Sequence, residues 1–468
     1  MDIISKEHVI SVIDKAEAEL RDCFRRLVLL KNMDASIQKI MDFQPKLAFC
    51  LHDLMGFYHR LCQEEKQIIK RKTSFNDEQF RNHMATNSEY KKAITEVINI
   101  GKHLGDSFVW FFYRDNLEEL EKHLKHKTTG LFVSGIGALG ELEFIKNSPT
   151  LNEYVVLYHS MTSMLRIGDI SLWKPGTGII GIGEIKTKEK SGNCICVNVF
   201  ITSTTPITPN IDKSYSFEFQ ANSIPNKDKS RLQRQLKTQS NALKKEDKIG
   251  SKELYSDYNF DLLNGLDAEE SSMNVSQDST LIVFGHNLAR EKLSDILTNE
   301  NKEITIPNSH YDKMKDFFIG GVANSVPIVR CFDCKVSNGR IPVFWWDSDI
   351  EIIEKILFKE LLVTIAFNPA RFFNYFIAKG YSTVTNKKGE IIALDKRDGN
   401  KGQVFNALPM MFDLITHSFM KCDSVIEIVN AFLIEIENME VEPNINVLVN
   451  MKIQNSGQYK YMESEESP

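Results

Sequence analysis

Between Gly168 and Lys188 the chain reads GDISLWKPGTGIIGIGEIKTK. Two apolar runs flank a Lys-Pro-Gly-Thr-Gly turn, and Asp169, Glu184 and Lys186 stand inside them. Side chains on a strand alternate faces. Ile180, Ile182, Glu184 and Lys186 therefore share one face, and Ile185 points the other way. Hairpin pairing brings Asp169 toward Glu184. Two carboxylates held together in an apolar setting repel, and one is driven to take a proton. A divalent cation removes that conflict. Mg²⁺ takes oxygen ligands, keeps several waters, and needs only one or two carboxylates beside phosphate oxygens. Glu-x-Lys by itself carries little, because it recurs at Glu64, Glu89, Glu246 and Glu300 in polar or helix-like surroundings. Only Glu184 sits in a β-type run with an acid on the preceding strand. The bland alternative is a hairpin end with a neighbouring Glu184–Lys186 pair, worth little in stability.

A positive stripe follows. Between Lys227 and Lys252 the chain carries Arg231, Arg234, Lys237 and six further lysines against three acids. Lys188 and Lys190 add charge just after the Glu-x-Lys strand. The whole chain is acidic, with a formal net charge of -6, so any nucleic-acid surface must be a local patch. Such a patch binds phosphate through charge and counterion release, without sequence readout. A solvated helix face is the competing account of the same residues.

The elements that must position these groups are readable in outline. A chain of 468 residues implies two or three domains. Residues 1–128 show helical periodicity, as in Ile10, Ile13, Leu20, Phe24 and Leu27, and read as a helical bundle or lid. Residues 129–295 begin with a short helix over Ala138 to Lys146. β-type runs follow: EYVVLYHS, MLRIGDISLW, GIIGIGEIKT and CICVNVFITST. GLDAEESSMNVSQDST reads as a polar loop and LIVFGHN as a strand. Residues 296–450 look mixed α/β, with VPIVRCFD and IPVFWWD as strands and DIEIIEKILFKELLVTIAF as one helix. Residues 451–468 are polar and acidic and read as a flexible tail. No apolar run is long enough to span a bilayer. Eight scattered cysteines fit a reducing cytoplasm. The expectation is a cytoplasmic protein without membrane contact.

An Asp on one strand followed by Glu-x-Lys on the next resembles the PD-(D/E)XK, or restriction-endonuclease-like, nuclease superfamily. Here the set is Asp169, then Glu184-Ile185-Lys186. The Pro that names the family is replaced by Gly168. Many members carry a Glu on the helix before the sheet, and GALGELEFI offers Glu141 or Glu143. Some add a Gln-bearing helix, and RLQRQLKTQ offers Gln233, Gln235 and Gln239, without the Gln-x-x-x-Tyr pattern. The resemblance covers about residues 130 to 290. It implies an α/β fold whose central mixed sheet is flanked by helices, with the helical N-terminal and α/β C-terminal regions attached. It implies Mg²⁺, with Mn²⁺ able to substitute, held by Asp169, Glu184, the Ile185 carbonyl and Glu141. Lys186 would orient the attacking water or stabilise charge on the phosphate. Lys188, Lys190, Arg231, Arg234, Gln235 and Lys237 would face the nucleic acid. The implied activity is a DNA endonuclease acting as a homo-oligomer, since cutting both strands needs two sites, in a setting such as bacterial anti-phage defence. An RNA-cleaving toxin-like nuclease and a non-catalytic nucleic-acid sensor are the rival readings.

Other signals carry less. Cys331 and Cys334 have zinc-knuckle spacing but lack a clear second pair. Phe344–Trp346 fits a core better than a base-stacking platform. GIGALG lacks the Gly-Lys-Ser/Thr ending of a phosphate loop and reads as a turn into the Glu141 helix. His159 is expected to make a satisfied polar contact.

Overall fold

The computed structural model describes residues 4–32, 42–114, 117–126, 135–147, 150–151, 154–190, 194–203, 234–239, 254–264, 266, 274–277, 280–288, 290, 292–297, 308–318, 328–332, 341–398, 401–405, 408–438 and 453–455. The chain divides into two compact units. The first comprises Met1–Glu246, Glu291–Asn301 and Lys335–Phe344; the second comprises Asp247–Arg290, Lys302–Cys334 and Trp345–Pro468. Positions 128/129 and 295/296 both lie within segments of the first unit.

In the first unit, helices α1 (Lys6–Lys31), α2 (Phe43–Lys70) and α3 (Asp77–Tyr113) pack on one another. Ser5 caps α1 by accepting from the His8 amide at 3.3 Å. Asn76 and Gln79 form a reciprocal capping box on α3, satisfying two of the free amides at its start. The apolar stripe of α1 is buried at Val9, Ile13, Leu20, Phe24 and Leu27. Two shorter helices follow, α4 (Leu117–Leu124) and α5 (Ile136–Asn147).

The sheet of this unit runs β1 (Thr150–Leu151), β2 (Tyr154–Tyr158), β3 (Ile170–Lys174), β4 (Gly178–Lys190) and β5 (Cys194–Ser203), in that order. Every pairing is antiparallel. The mixed sheet expected from the sequence is thus corrected among the described strands. Short connections can only return a chain antiparallel; a parallel neighbour needs a long crossover. Helix α5 lies against β4 and β5. It approaches so closely at Gly140 that an added Cβ would overlap the Thr187 side chain. A six-residue helix, α6 (234–239), closes the described part of this segment. The rest of the basic stripe lies outside the described residues.

The second unit holds β6 (Leu254–Ser256), α7 (Asp261–Asn264), β7 (Asn274–Gln277), β8 (Leu281–Asn287), α8 (Asn308–Phe318), β9 (Ile328–Cys331), α9 (Ile350–Leu357) and β10 (Leu361–Phe367). A four-stranded sheet is ordered β7-β8-β10-β9. After it come α10 (Pro369–Ala378), β11 (Ser382–Thr385), β12 (Ile391–Asp398), β13 (Lys401–Phe405), α11 (Leu408–Ser418), α12 (Cys422–Asn438) and β14 (Ile453–Asn455). Three expectations are corrected here. The segment read as one helix breaks at Lys359, whose φ is 60°, and the β-branched run after it pairs as β10. IPVFWWD forms a 3-10 turn at Val343–Trp345. Within the expected polar loop, Asn274–Gln277 pairs with β8 as an edge strand. Phe344 is buried in the first unit against Phe24, and Trp346 in the second against Phe260, at centroid distances of 5.6 and 4.6 Å; neither is a platform for bases. Among the described residues no helix is long and apolar enough to cross a membrane.

Candidate active site

The β3–β4 hairpin sets the geometry. Ile170 pairs with Gly183 and Ser171 with Ile182, so Asp169, one residue ahead of β3, comes level with Glu184. The Asp169 amide donates to the Gly183 carbonyl at 2.8 Å, continuing the ladder. Its carboxylate oxygen Oδ2 accepts from the Ile185 amide at 2.7 Å. Glu184 is 4% exposed. Its Oε1 accepts from Lys186 Nζ and from Gln235 Nε2, each at 2.6 Å, and its Oε2 from Gln239 Nε2 at 3.4 Å. Asp169, Glu184, Ile185, Lys186 and Glu141 all line one cavity of about 760 Å³.

Burial and then the neighbouring Glu184 charge push the Asp169 carboxyl up to about 7; Glu141 adds to the push, while the Ile185 amide and Lys186 oppose it. Glu141 is also raised, first by burial and also by Glu184, against the Ser160 hydroxyl and the Lys102 ammonium. Three acids, Glu141, Asp169 and Glu184, thus line one cavity together with Lys186, Arg166 and Arg234. Glu143, the alternative on α5, is exposed and accepts from Asn147 instead.

The backbone at Gly168 excludes a proline. Its φ is +75°, and a proline ring fixes φ near −65°. A Cβ here would also stand 2.7 Å from the Gly183 carbonyl oxygen. Gly168→Ala is expected to cost about 1–3 kcal/mol, read as a lower denaturation midpoint, with Asp169 displaced and activity reduced in the same variant.

A buried chain of polar groups holds that turn. His159 Nδ1 lies 3.0 Å from the Gly168 carbonyl, and its Nε2 lies 2.7 Å from Ser171 Oγ. Ser171 Oγ lies 2.7 Å from Tyr113 OH, which is 3.5 Å from His123 Nε2. His123 Nδ1 accepts from the amides of Arg166 and Ile167. These partners assign one direction of donation: His123 to Tyr113, to Ser171, to His159, to the Gly168 carbonyl. Burial pushes His159 down to about 3 and His123 well below its ordinary value, so both stay neutral, as the assignment requires.

Helix α3 supports the same loop from beneath. Asp106, fully buried, accepts from the Thr162 hydroxyl, from the Ser163 amide at 2.7 Å, from Ser163 Oγ at 2.6 Å and from the Met164 amide at 3.2 Å. Lys102 donates to the carbonyls of Ser160 and Thr162. Burial pulls its ammonium down to about 8, against Asp106 and Glu141. None of these supporting residues stood out in the sequence except His159. The available signal was a charge inside an apolar helix, GKHLGDSFVWFF, where Asp106 falls among buried neighbours.

The sequence-expected residues separate as follows. Asp169, Glu184, Lys186 and Glu141 meet at the cavity, with the Ile185 backbone bonded to Asp169. Gln235 donates to Glu184. Arg234 lines the cavity and Lys237 is exposed on the same helix. Lys188 and Lys190 continue β4, with side chains outside the described set, and Arg231 lies outside the described residues altogether. Among the described residues, no three His, Cys, Asp or Glu side chains are already gathered as a metal cage. Lys186, Gln235 and Gln239 donate to Glu184, and the Ile185 amide to one oxygen of Asp169. The donors present are all oxygen, which suits a hard cation needing one or two carboxylates. No protein-family model, curated protein or solved structure matches the chain.

Proposed function

We propose that this chain is a Mg²⁺-dependent endonuclease of restriction-endonuclease-like type that hydrolyses phosphodiester bonds in DNA. The observation that carries the reading is the level pair Asp169 and Glu184, bared to one cavity with Lys186 bonded 2.6 Å from the second carboxylate. Asp169 and Glu184 would hold the cation, with the Ile185 carbonyl and, through water, Glu141. When bound, the cation supplies an activated water and shields charge on the phosphate. Gln235 and Gln239 fix the Glu184 carboxylate. Lys186 has N–H groups beyond the one given to Glu184 and orients the attacking water or an oxygen of the phosphate. The chain in this reading acts as a homo-oligomer, since two strands need two sites.

The test is digestion of plasmid, single-stranded DNA and RNA by the purified chain, with Mg²⁺ or with EDTA. Mg²⁺-dependent nicking or linearisation of plasmid supports the reading. Cleavage of RNA alone keeps the site and rejects DNA as substrate. No cleavage of any polymer, with the chain folded, favours a binding role and rejects catalysis.

A further inference from the structure

Arg166 lines the same cavity, three residues before Asp169. Its guanidinium is locked by backbone carbonyls. Nε donates to Ser163 at 3.0 Å, and Nη1 donates to Leu124 and to His126, both at 2.9 Å. A guanidinium has five N–H groups, and these bonds use three. The two on Nη2 have no partner among the described residues, and no described carboxylate pairs with the charge. The same cavity is lined by three acids, Glu141, Asp169 and Glu184, yet none of them pairs with this guanidinium. A half-buried cation bonded only to neutral carbonyls has its charge uncompensated, which is the condition of an anion receptor. The side chain is already immobilised, so an anion would bind without the usual loss of rotamer freedom. A purely structural clamp on the end of α4 accounts for the three bonded N–H groups and leaves the other two unexplained.

We propose that Arg166 is the receptor for a second phosphate of the substrate strand, the one adjoining the phosphate hydrolysed beside Asp169 and Glu184. Asp169 lies three positions after Arg166, a reach of about 10 Å at most between their backbones, which is the scale of neighbouring phosphates on an extended strand. The inference rests on the nuclease reading and adds the point at which the polymer is gripped.

The experiment uses oligonucleotides in which single phosphates are replaced by neutral methylphosphonates. With the wild-type chain and Mg²⁺, one position beside the scissile phosphate is expected to raise KM about 10-fold or more. In Arg166→Gln the same replacement adds nothing further, and the dependence of log affinity on log salt becomes shallower by about 1. Arg166→Lys, which keeps the charge, keeps the slope. Arg166→Gln that loses affinity with an unchanged slope and full methylphosphonate sensitivity shows a structural clamp only, and overturns the inference. Should Arg166→Gln not fold, the wild-type scan alone decides. A scan with no sensitive neighbouring position then overturns it. Failure of the wild-type chain to cleave the unmodified oligonucleotide would instead reject the nuclease reading itself, and this inference with it.

Discussion

Asp169→Asn is expected to abolish Mg²⁺-dependent cleavage and, in the same protein, to raise the melting temperature of the metal-free chain. The two effects have one cause. The asparagine oxygen can still accept the Ile185 amide, so the turn is kept, but the amide carries no charge for Glu184 to repel and none to offer a cation. The loss of turnover is expected to reach about 10²- to 10³-fold or more. The stability change has a definite sign. In the unfolded chain the Asp169 carboxyl titrates near its ordinary 3.8, and in the folded chain near 7. The folded state therefore binds the proton more tightly. That contribution to stability is present below about pH 4 and is lost as pH rises through about 7. Thermal melts in EDTA at about pH 5, 6.5 and 8 should show the wild type losing stability across this window. The variant should lack that component and melt higher at pH 8, by on the order of a few degrees. Equal melting of the two proteins at pH 8, or undiminished cleavage, would remove Asp169 from its assigned role.

Asp106→Ala is expected to have the largest effect on stability. The carboxylate is fully buried and accepts four hydrogen bonds from residues 162–164. Alanine would remove the acceptor of the Thr162 and Ser163 hydroxyls and the Ser163 amide, leave the Met164 amide only its bond to Thr162 Oγ1, and leave Lys102 without its nearest compensating charge. Buried donors left unpaired cost about 1–3 kcal/mol each when nothing relaxes, and the removal of one partner of a buried charge costs about 3–5 kcal/mol. With partial relaxation, a loss of about 3–5 kcal/mol is expected, measured by denaturant unfolding of the whole chain. Asp106→Asn should lose less, because one acceptor remains. The loop freed in either variant leads directly to Gly168 and Asp169, so activity should fall with stability. A variant with wild-type stability would show that helix α3 does not carry the loop.

The hairpin was readable from the sequence because two local rules agree on it. Alternation placed Ile180, Ile182, Glu184 and Lys186 on one face, and the Pro-Gly turn marked where the chain reverses; the register that brings Asp169 level with Glu184 also needs the bulge between Leu172 and Trp173, which no local rule shows. The choice of Glu141 over Glu143 was open, because a helix on a sheet turns only one of two nearby carboxylates inward and the contact at Gly140 decides which. Lys102, Asp106 and Arg166 were not readable. Most of their partners lie 40 to 60 positions away along the chain, and no spacing rule connects such groups. The segment Asp349 to Phe367 shows the opposite failure. Its apolar residues satisfy a helical period through Leu357, and one left-handed residue at Lys359 then turns the chain into a strand. At Gly168 the backbone needs a positive φ, so proline is excluded there.

The most direct measurement is a titration of Mn²⁺ into the wild-type chain and into Asp169→Asn, followed by electron paramagnetic resonance. The site as described predicts one tight class of bound Mn²⁺ in the wild type, displaced by Mg²⁺ and lost in the variant. A wild-type chain that binds no Mn²⁺, or a variant that binds it equally well, would contradict a cation shared between Asp169 and Glu184.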